Sequence, residues 1–338
     1  MKNTIEIAIS TYNRANILKL WFEKNYKVAT DIGFKISVYD SSTNDETKKI
    51  VELLNQSLKW NIKYVHLAPS VRLDDKIMMS VFETECDYVW PLGDSRTFDF
   101  SVIEKKIIPF TDRSYDVICL WSQLNHDNDG KTYTNPADFF NECFWHVTWL
   151  GGIIYKRTVF DFNFQDDTYK KYMSIFNRND GFSNNGMMFN VIAQKENIRI
   201  STSEIGKIDE LVKSKTPGWL KRYIEVWGDN LSYMIDNLDD IYNPYKDKVL
   251  KEVWRVLALD SGEWCYRAKM EGGLTPKIYE HYDSVGLLDR VSDNKKRIRF
   301  YAYSNKVLAK MGYVSSKVNR KLKSGIDKIV KLKEGLIL

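Results

Sequence analysis

The sequence predicts an α/β fold, a doubly wound and mostly parallel sheet followed by a mainly helical extension, and three observations predict it. Short apolar runs alternate with helical stretches through the first hundred residues, and strand, helix, strand at that spacing gives parallel pairing. The runs are apolar nearly throughout, as expected of strands covered on both faces. From about residue 207 the pattern turns helical, with apolar residues three and four apart through LKRYIEVWGDNLSYMIDNL and KDKVLKEVWRVLALDSGEWCYRAKM.

Taken in order, Ile5–Ser10 (IEIAIS) reads as the first strand and 15–25 as a helix; Lys35–Asp40 (KISVYD) follows as a strand and 45–56 as a helix. Ile62–His66 (IKYVH), a helix over 73–84 and Tyr88–Leu92 (YVWPL) continue the alternation. The stretch 114–124 (SYDVICLWSQL) supplies a further strand, and 126–136 is loop by its Asn, Asp, Gly and Pro content. The first domain is expected over 1–206 and the helical extension over 207–338. The extension ends in a stripe of Val307, Met311, Val314, Val318, Leu322, Ile326, Ile329 and Val330, with Lys and Arg on the other faces.

Composition narrows the function classes. Aromatics make up 14% of the 338 residues, with 10 Trp and 20 Tyr, which suits a cleft that stacks rings or sugar faces. Cys86, Cys119, Cys143 and Cys265 show no metal-binding spacing and read as reduced core thiols. The N-terminus lacks a signal-peptide apolar region, and no 18-residue apolar run occurs, so a cytoplasmic protein is expected. Net charge is +5, yet residues 289–338 hold 14 Lys/Arg against 4 Asp/Glu, so the basic character belongs to one end. That asymmetry points to an anionic surface, membrane or nucleic acid, as a partner of that end.

Chemistry is expected where strands end. Strand one runs into Ser10-Thr11-Tyr12-Asn13-Arg14, strand two into Asp40-Ser41-Ser42-Thr43-Asn44-Asp45, and strand four into Gly93-Asp94-Ser95. Carboxyl ends of parallel neighbours converge on one crevice, where such sheets bind their ligands. Other readings stand beside this one. Gly, Asp and Ser are ordinary turn residues, and Asn13 or Asn16, and Thr43 or Asn44, are ordinary helix caps.

AISTYNRANIL, ISVYDSSTNDET and YVWPLGDS, in that order, resemble the signature of the family 2 glycosyltransferases of GT-A fold, of the bacterial surface-polysaccharide type. The likeness is close over 4–100 and loose over 145–195, and it implies a Rossmann-like GT-A domain. In that family the first loop and the strand-two Asp hold the nucleoside of a nucleotide-sugar, which assigns Thr11, Tyr12 and Asp40 to the base of a UDP-sugar, with the Ser42 hydroxyl among the groups around the same ligand. Arg14 would lie close to the diphosphate. Arg72 and, beside it, Lys76 would act there as fixed cations or stand as ordinary surface charges.

The family's strand-four motif is Asp-x-Asp, whose carboxylates bind a divalent ion bridging the diphosphate. Here it reads Gly93-Asp94-Ser95, with both outer carboxylates absent. The resemblance still implies Mn2+ or Mg2+, held by Asp94 and Ser95, because hard ions keep waters and need few protein ligands.

The second half of such enzymes binds the acceptor and supplies a base. HVTWLGGIIYKRTVF (146–160) resembles the glycine-containing segment before the acceptor site, with Trp149 placed to stack on a sugar; it reads equally as a buried strand after a glycine turn. His146 reads as a structural histidine at a strand edge. In FNRNDGFSNNGMMFNVIAQ (176–194), Asp180 is the only carboxylate and the expected catalytic base, with Asp166 and Asp167 behind it. Asp180 also reads as a helix cap.

The reading is an inverting transferase, moving a sugar from a UDP-sugar to a glycan or lipid-linked glycan at the inner face of the cell membrane. The basic tail would attach it peripherally to anionic lipid. Two rivals stand beside it: a nucleotide-sugar-binding protein without turnover, and a basic-tailed nucleic-acid-binding protein, for which no recognition motif accompanies the charge.

Overall fold

The computed structural model describes residues 3–121, 129–163, 165–176, 181–212 and 218–317. The chain divides into two compact units, Met1–Ser214 with Tyr233–Val249, and Lys215–Ser232 with Leu250–Leu338.

The first unit opens β1 (Ile5–Thr11), α1 (Ala15–Asp31), β2 (Phe34–Asp40), α2 (Glu46–Ser57), β3 (Ile62–His66), α3 (Leu73–Glu83) and β4 (Tyr88–Gly93). It continues with β5 (Arg96–Thr97), α4 (Phe100–Asp112), β6 (Val117–Trp121), β7 (Thr132–Tyr133), α5 (Pro136–Val147) and β8 (Ile153–Lys156). Then come α6 (Asp167–Phe176), α7 (Ser183–Ala193), β9 (Ile200–Glu204) and β10 (Asp209–Glu210). Eight strands make one sheet in the order β3-β2-β1-β4-β8-β6-β9-β7, and β10 pairs with β5 beside it.

Strands β1 to β4 are parallel to one another, as the spacing predicts. The sheet as a whole is mixed, because β8 runs antiparallel to both β4 and β6, and β7 antiparallel to β9. β1 and β4 are buried almost along their lengths. Leu18, Trp21 and Phe22 of α1 and Ile103 and Ile107 of α4 pack against the same core, which is why the apolar runs lack a polar face.

Two sequence expectations are corrected. The segment after residue 128 is not loop to 136, since β7 lies within it and α5 begins at Pro136. Asn135 caps α5, its side chain accepting from Ala137 N at 2.9 Å, and Pro136 at the first helical position needs no N–H partner. His146 therefore sits on a helix rather than at a strand edge, buried with its ring 4.4 Å from that of Trp121.

In the second unit the short helix Lys295–Tyr303 packs against both Gly262–Met270 and Pro276–Ser284. Gly273 lies so near Leu220 O that a Cβ there would stand 1.8 Å away, so only glycine fits. A last helix over 306–317 leaves Val307 68% and Met311 62% exposed. Among the described residues no helix is long and apolar enough to cross a membrane.

Candidate functional site

Register brings the three strand ends level. Thr11 pairs with Asp40 across β1 and β2, and Ser10 with Gly93 across β1 and β4. The loops that follow are cross-linked, and Asn44 Oδ1 also accepts from Glu46 N at the start of α2 at 3.0 Å. Asn13, at φ +52, donates its N–H to Ser42 Oγ at 2.7 Å and accepts from Thr43 N at 2.9 Å through Oδ1. Neither α1 nor α2 has a side-chain hydrogen bond from its cap residue.

A cleft of about 620 Å³ opens at these strand ends, between the β1 and β4 loops and the start of α3. Thr11, Tyr12, Arg14, Arg72, Asp94 and Ser95 line it. Tyr12 is 47% exposed, so its ring is offered to a ligand face. Asp94 is 2% exposed and central: Arg14 Nη1 stands 2.8 Å from Oδ1, and Thr11 Oγ1 donates to Oδ2 at 2.8 Å. Burial raises the Asp94 pKa, against the pull of Arg14, the Thr11 hydroxyl and Lys76.

Lys76 and Arg96 line the same cleft. Lys76 Nζ donates to Thr11 O at 2.7 Å, and burial lowers its pKa while Asp40 and Asp94 draw it up. Arg72 is held by Asp75 through Nε at 3.1 Å and Nη2 at 3.2 Å, and Arg96 by Glu210 at 3.2 Å. The lining thus carries Arg14, Arg72, Lys76 and Arg96 against Asp94 as its carboxylate. A small space of this charge suits an anionic ligand.

Asp40 and Ser42 do not themselves line the cleft, although Ser41 between them does. The Asp40 side chain is fully buried, its Oδ1 accepting from Ser42 N at 2.9 Å and from Ser42 Oγ, its Oδ2 from Tyr64 Oη at 2.9 Å. It shapes the loop as an Asx-turn does.

A second, smaller cleft of about 120 Å³ adjoins the first, Leu73 and Leu150 lining both. Trp149, Gly151, Gly181 and Phe182 form part of its wall. At Gly151, φ is +108 and a Cβ would meet Trp149 Cζ3 at 2.6 Å; at Gly152 a Cβ would meet His146 O at 2.4 Å. Both glycines therefore let Trp149 fold over the chain beside the cleft, and Trp90 Nε1 donates to Gly151 O at 2.9 Å to fix it.

Asp180, the expected base, lies outside the described residues. Asp166 accepts from Asn163 N at 2.7 Å, the Asp167 side chain is fully exposed, and neither lines either cleft. Asp74, which sequence reasoning passed over, is buried in the wall of the smaller cleft and accepts from Ser183 N and Oγ.

For a divalent ion the larger cleft offers Asp94 as its carboxylate, with Ser95 beside it in the lining. Among the described residues no three His, Cys, Asp or Glu side chains are placed to hold a metal. Both oxygens of Asp94 are engaged, one of them by a guanidinium.

The parallel strands β3-β2-β1-β4, the antiparallel β8 and the cleft at their carboxyl ends make this a GT-A-like glycosyltransferase fold. No protein-family model and no curated protein matches the chain. Among solved structures, residues 1–349 of S. aureus TarS superpose with a TM-score of 0.50 at 12% identity, covering 88% of this chain and 91% of that one. The mannosyltransferase PcManGT from Pyrobaculum calidifontis, in complex with GDP-Man and Mn2+, gives 0.50 at 12% identity, covering 94% and 87%.

Proposed function

We propose that this protein is an inverting glycosyltransferase whose larger cleft takes a UDP-sugar and whose smaller cleft takes the acceptor. The observation that carries the reading is the cationic cleft at the level ends of β1, β2 and β4, within a GT-A-like fold. In a parallel sheet this is where ligands bind. A nucleoside diphosphate matches its parts: a flat base for the exposed Tyr12 ring, and two phosphates for the Arg and Lys side chains.

In this reading an acceptor hydroxyl approaches along the Trp149 wall and loses its proton to a carboxylate, assigned from the sequence to Asp180. The acceptor oxygen forms its bond to the anomeric carbon as the bond to the diphosphate breaks on the opposite face. The electron pair leaves with UDP, and configuration inverts. Arg14 and Lys76 stand where the departing charge grows, which is the kind of fixed electrostatic support that lowers such a barrier most.

Peripheral membrane attachment belongs to the same reading, with a lipid-linked glycan as acceptor. On the helix over 306–317 the exposed Val307, Met311 and Val314 share one stripe with Lys306, Lys310 and Lys317 around them. Each basic residue near an anionic surface contributes about 1 kcal/mol. Co-sedimentation with phosphatidylserine vesicles, absent with phosphatidylcholine vesicles, is the expected result.

The experiment for the reading as a whole is thermal unfolding with UDP-, GDP-, dTDP- and CMP-sugars, followed by assay of UDP release with glycan acceptors. A ligand at a hundredfold excess over its Kd adds about 2.7 kcal/mol of apparent stability. A shift with a UDP-sugar, followed by acceptor-dependent UDP release, supports the transferase. Binding without release would leave a donor-binding protein, and no shift with any nucleotide would refute the site.

A further inference from the structure

Within the donor-site reading, on which it rests, we propose that the diphosphate is neutralised by Arg14 and Lys76 without a divalent ion, and that Asp94 is a positioning residue for Arg14.

Geometry carries the argument. Mg2+ demands near-octahedral oxygen ligands at about 2.0–2.1 Å and takes one or two carboxylates together with substrate phosphates. The larger cleft offers one carboxylate, and the Arg14 guanidinium stands 2.8 Å from its Oδ1. An ion bound to that oxygen would share it with a fixed positive charge. The other oxygen accepts from the Thr11 hydroxyl at 2.8 Å, which leaves Asp94 engaged on both sides by its own chain.

The charge an ion would supply is already present. Lys76 is 4% exposed, is fixed by Thr11 O at 2.7 Å and lies within electrostatic range of Asp94. Arg14 is different, with 41% of its side chain exposed. A guanidinium has five N–H donors, so the one pointed at Asp94 leaves others for phosphate oxygens. Asp94 therefore orients a fork rather than a metal, and the pair is built by different parts of the fold: Arg14 follows β1, and Asp94 follows β4. In the transfer step the breaking bond delivers its electron pair to a diphosphate oxygen. The new negative charge falls on Arg14 and Lys76, with no co-reactant needed.

The test is UDP affinity of the full chain by titration calorimetry, in EDTA and again in excess Mn2+, for the native sequence, Asp94→Asn and Arg14→Ala. The native protein is expected to bind UDP equally in both buffers, within about twofold, and Arg14→Ala to lose about tenfold or more. Asp94→Asn keeps shape and a hydrogen-bond acceptor, so it retains binding in EDTA with a loss below about tenfold. Arg14→Lys, which restores charge without the fork, should recover part of the affinity in both buffers. In a parallel titration of Mn2+ alone, the spectrum of the hydrated ion should persist when protein is added. UDP binding that collapses in EDTA, or a Mn2+ enhancement that Asp94→Asn abolishes, overturns the inference while leaving the donor site standing. No binding of UDP or GDP in either buffer overturns the donor site and the inference together. If Arg14→Ala fails to fold, the isosteric Asp94→Asn and the buffer comparison still decide.

Discussion

Asp74→Asn sets two forces against each other at one buried carboxylate. Asp74 accepts from Ser183 N at 2.9 Å and Ser183 Oγ at 2.6 Å, both through Oδ2. An asparagine carbonyl oxygen in that place accepts the same bonds, so the substitution removes charge and little else. The charge is drawn by the first amide of α7, an attraction of about 0.3–1 kcal/mol at a helix N-terminus. Against it stands desolvation, the largest influence on this group, which raises its pKa above the ordinary 3.8. Each unit of rise costs the charged form about 1.4 kcal/mol.

Linkage fixes the sign. With the folded pKa above the unfolded one, the native state holds the proton longer. The wild type should therefore lose stability as pH climbs from 3.8 through the raised value, with a constant cost beyond it. Asp74→Asn should match the wild type in acid and be the more stable protein at neutral pH. Asp74→Ala, which strands both Ser183 donors, should lose about 1–3 kcal/mol. Urea unfolding followed by tryptophan fluorescence, repeated from about pH 4 to pH 8, reads all three. If Asp74→Asn is the less stable protein at neutral pH, and the gap closes in acid, the helix terminus outweighs burial and the reasoning fails.

Gly151→Ala should cost about 2–4 kcal/mol in the same assay, from its positive φ and from overpacking against Trp149 and Leu92; a cost under about 0.5 kcal/mol would show that the turn relaxes. Asn13→Ala loses the link to Thr43 and strains a residue at φ +52, whereas Asn13→Gly loses the link alone. Both should weaken UDP binding, with Ala the less stable in unfolding; equal stability would remove the backbone argument. Burial pushes the Cys143 and Cys265 thiols to about 12, so iodoacetamide should label them at neutral pH only after unfolding. Rapid labelling of the native protein would contradict their burial.

The first four strands were legible because each is one apolar run with its ligand-facing end written directly after it. α5 was hidden by its own composition: PADFFNECFWHV buries most of its length, so the polar face that marks a surface helix is thin. The Asn135-Pro136 pair marks its start, but the same two residue types are equally at home in loops. The orientation of β8 was not legible, since IIYK fits either direction.

At the site, Tyr12 and Asp94 could be placed from strand ends alone. The Arg14–Asp94 pair could not, because it joins residues on separate loops that share no local pattern. Lys76 lies in the first turn of α3 and Arg72 is the residue just before that helix, so both stand at the helix start that borders the cleft. Asp40 carried a warning in Ser42, two residues on, the spacing at which an Asp side chain turns back on its own backbone.

The discontinuous first unit has a consequence for synthesis. Residues 233–249 return to it after 215–232 have gone elsewhere. Tyr242 Oη donates to Phe189 O at 2.7 Å, and Asp239 N to Asn190 Oδ1 at 2.8 Å, so the returning segment seals the end of α7. A nascent chain that has emerged only to residue 214 has every strand of the sheet and still lacks this seal. At about 5–20 residues per second the wait is about 2–7 s, long enough for a chaperone to find the open edge.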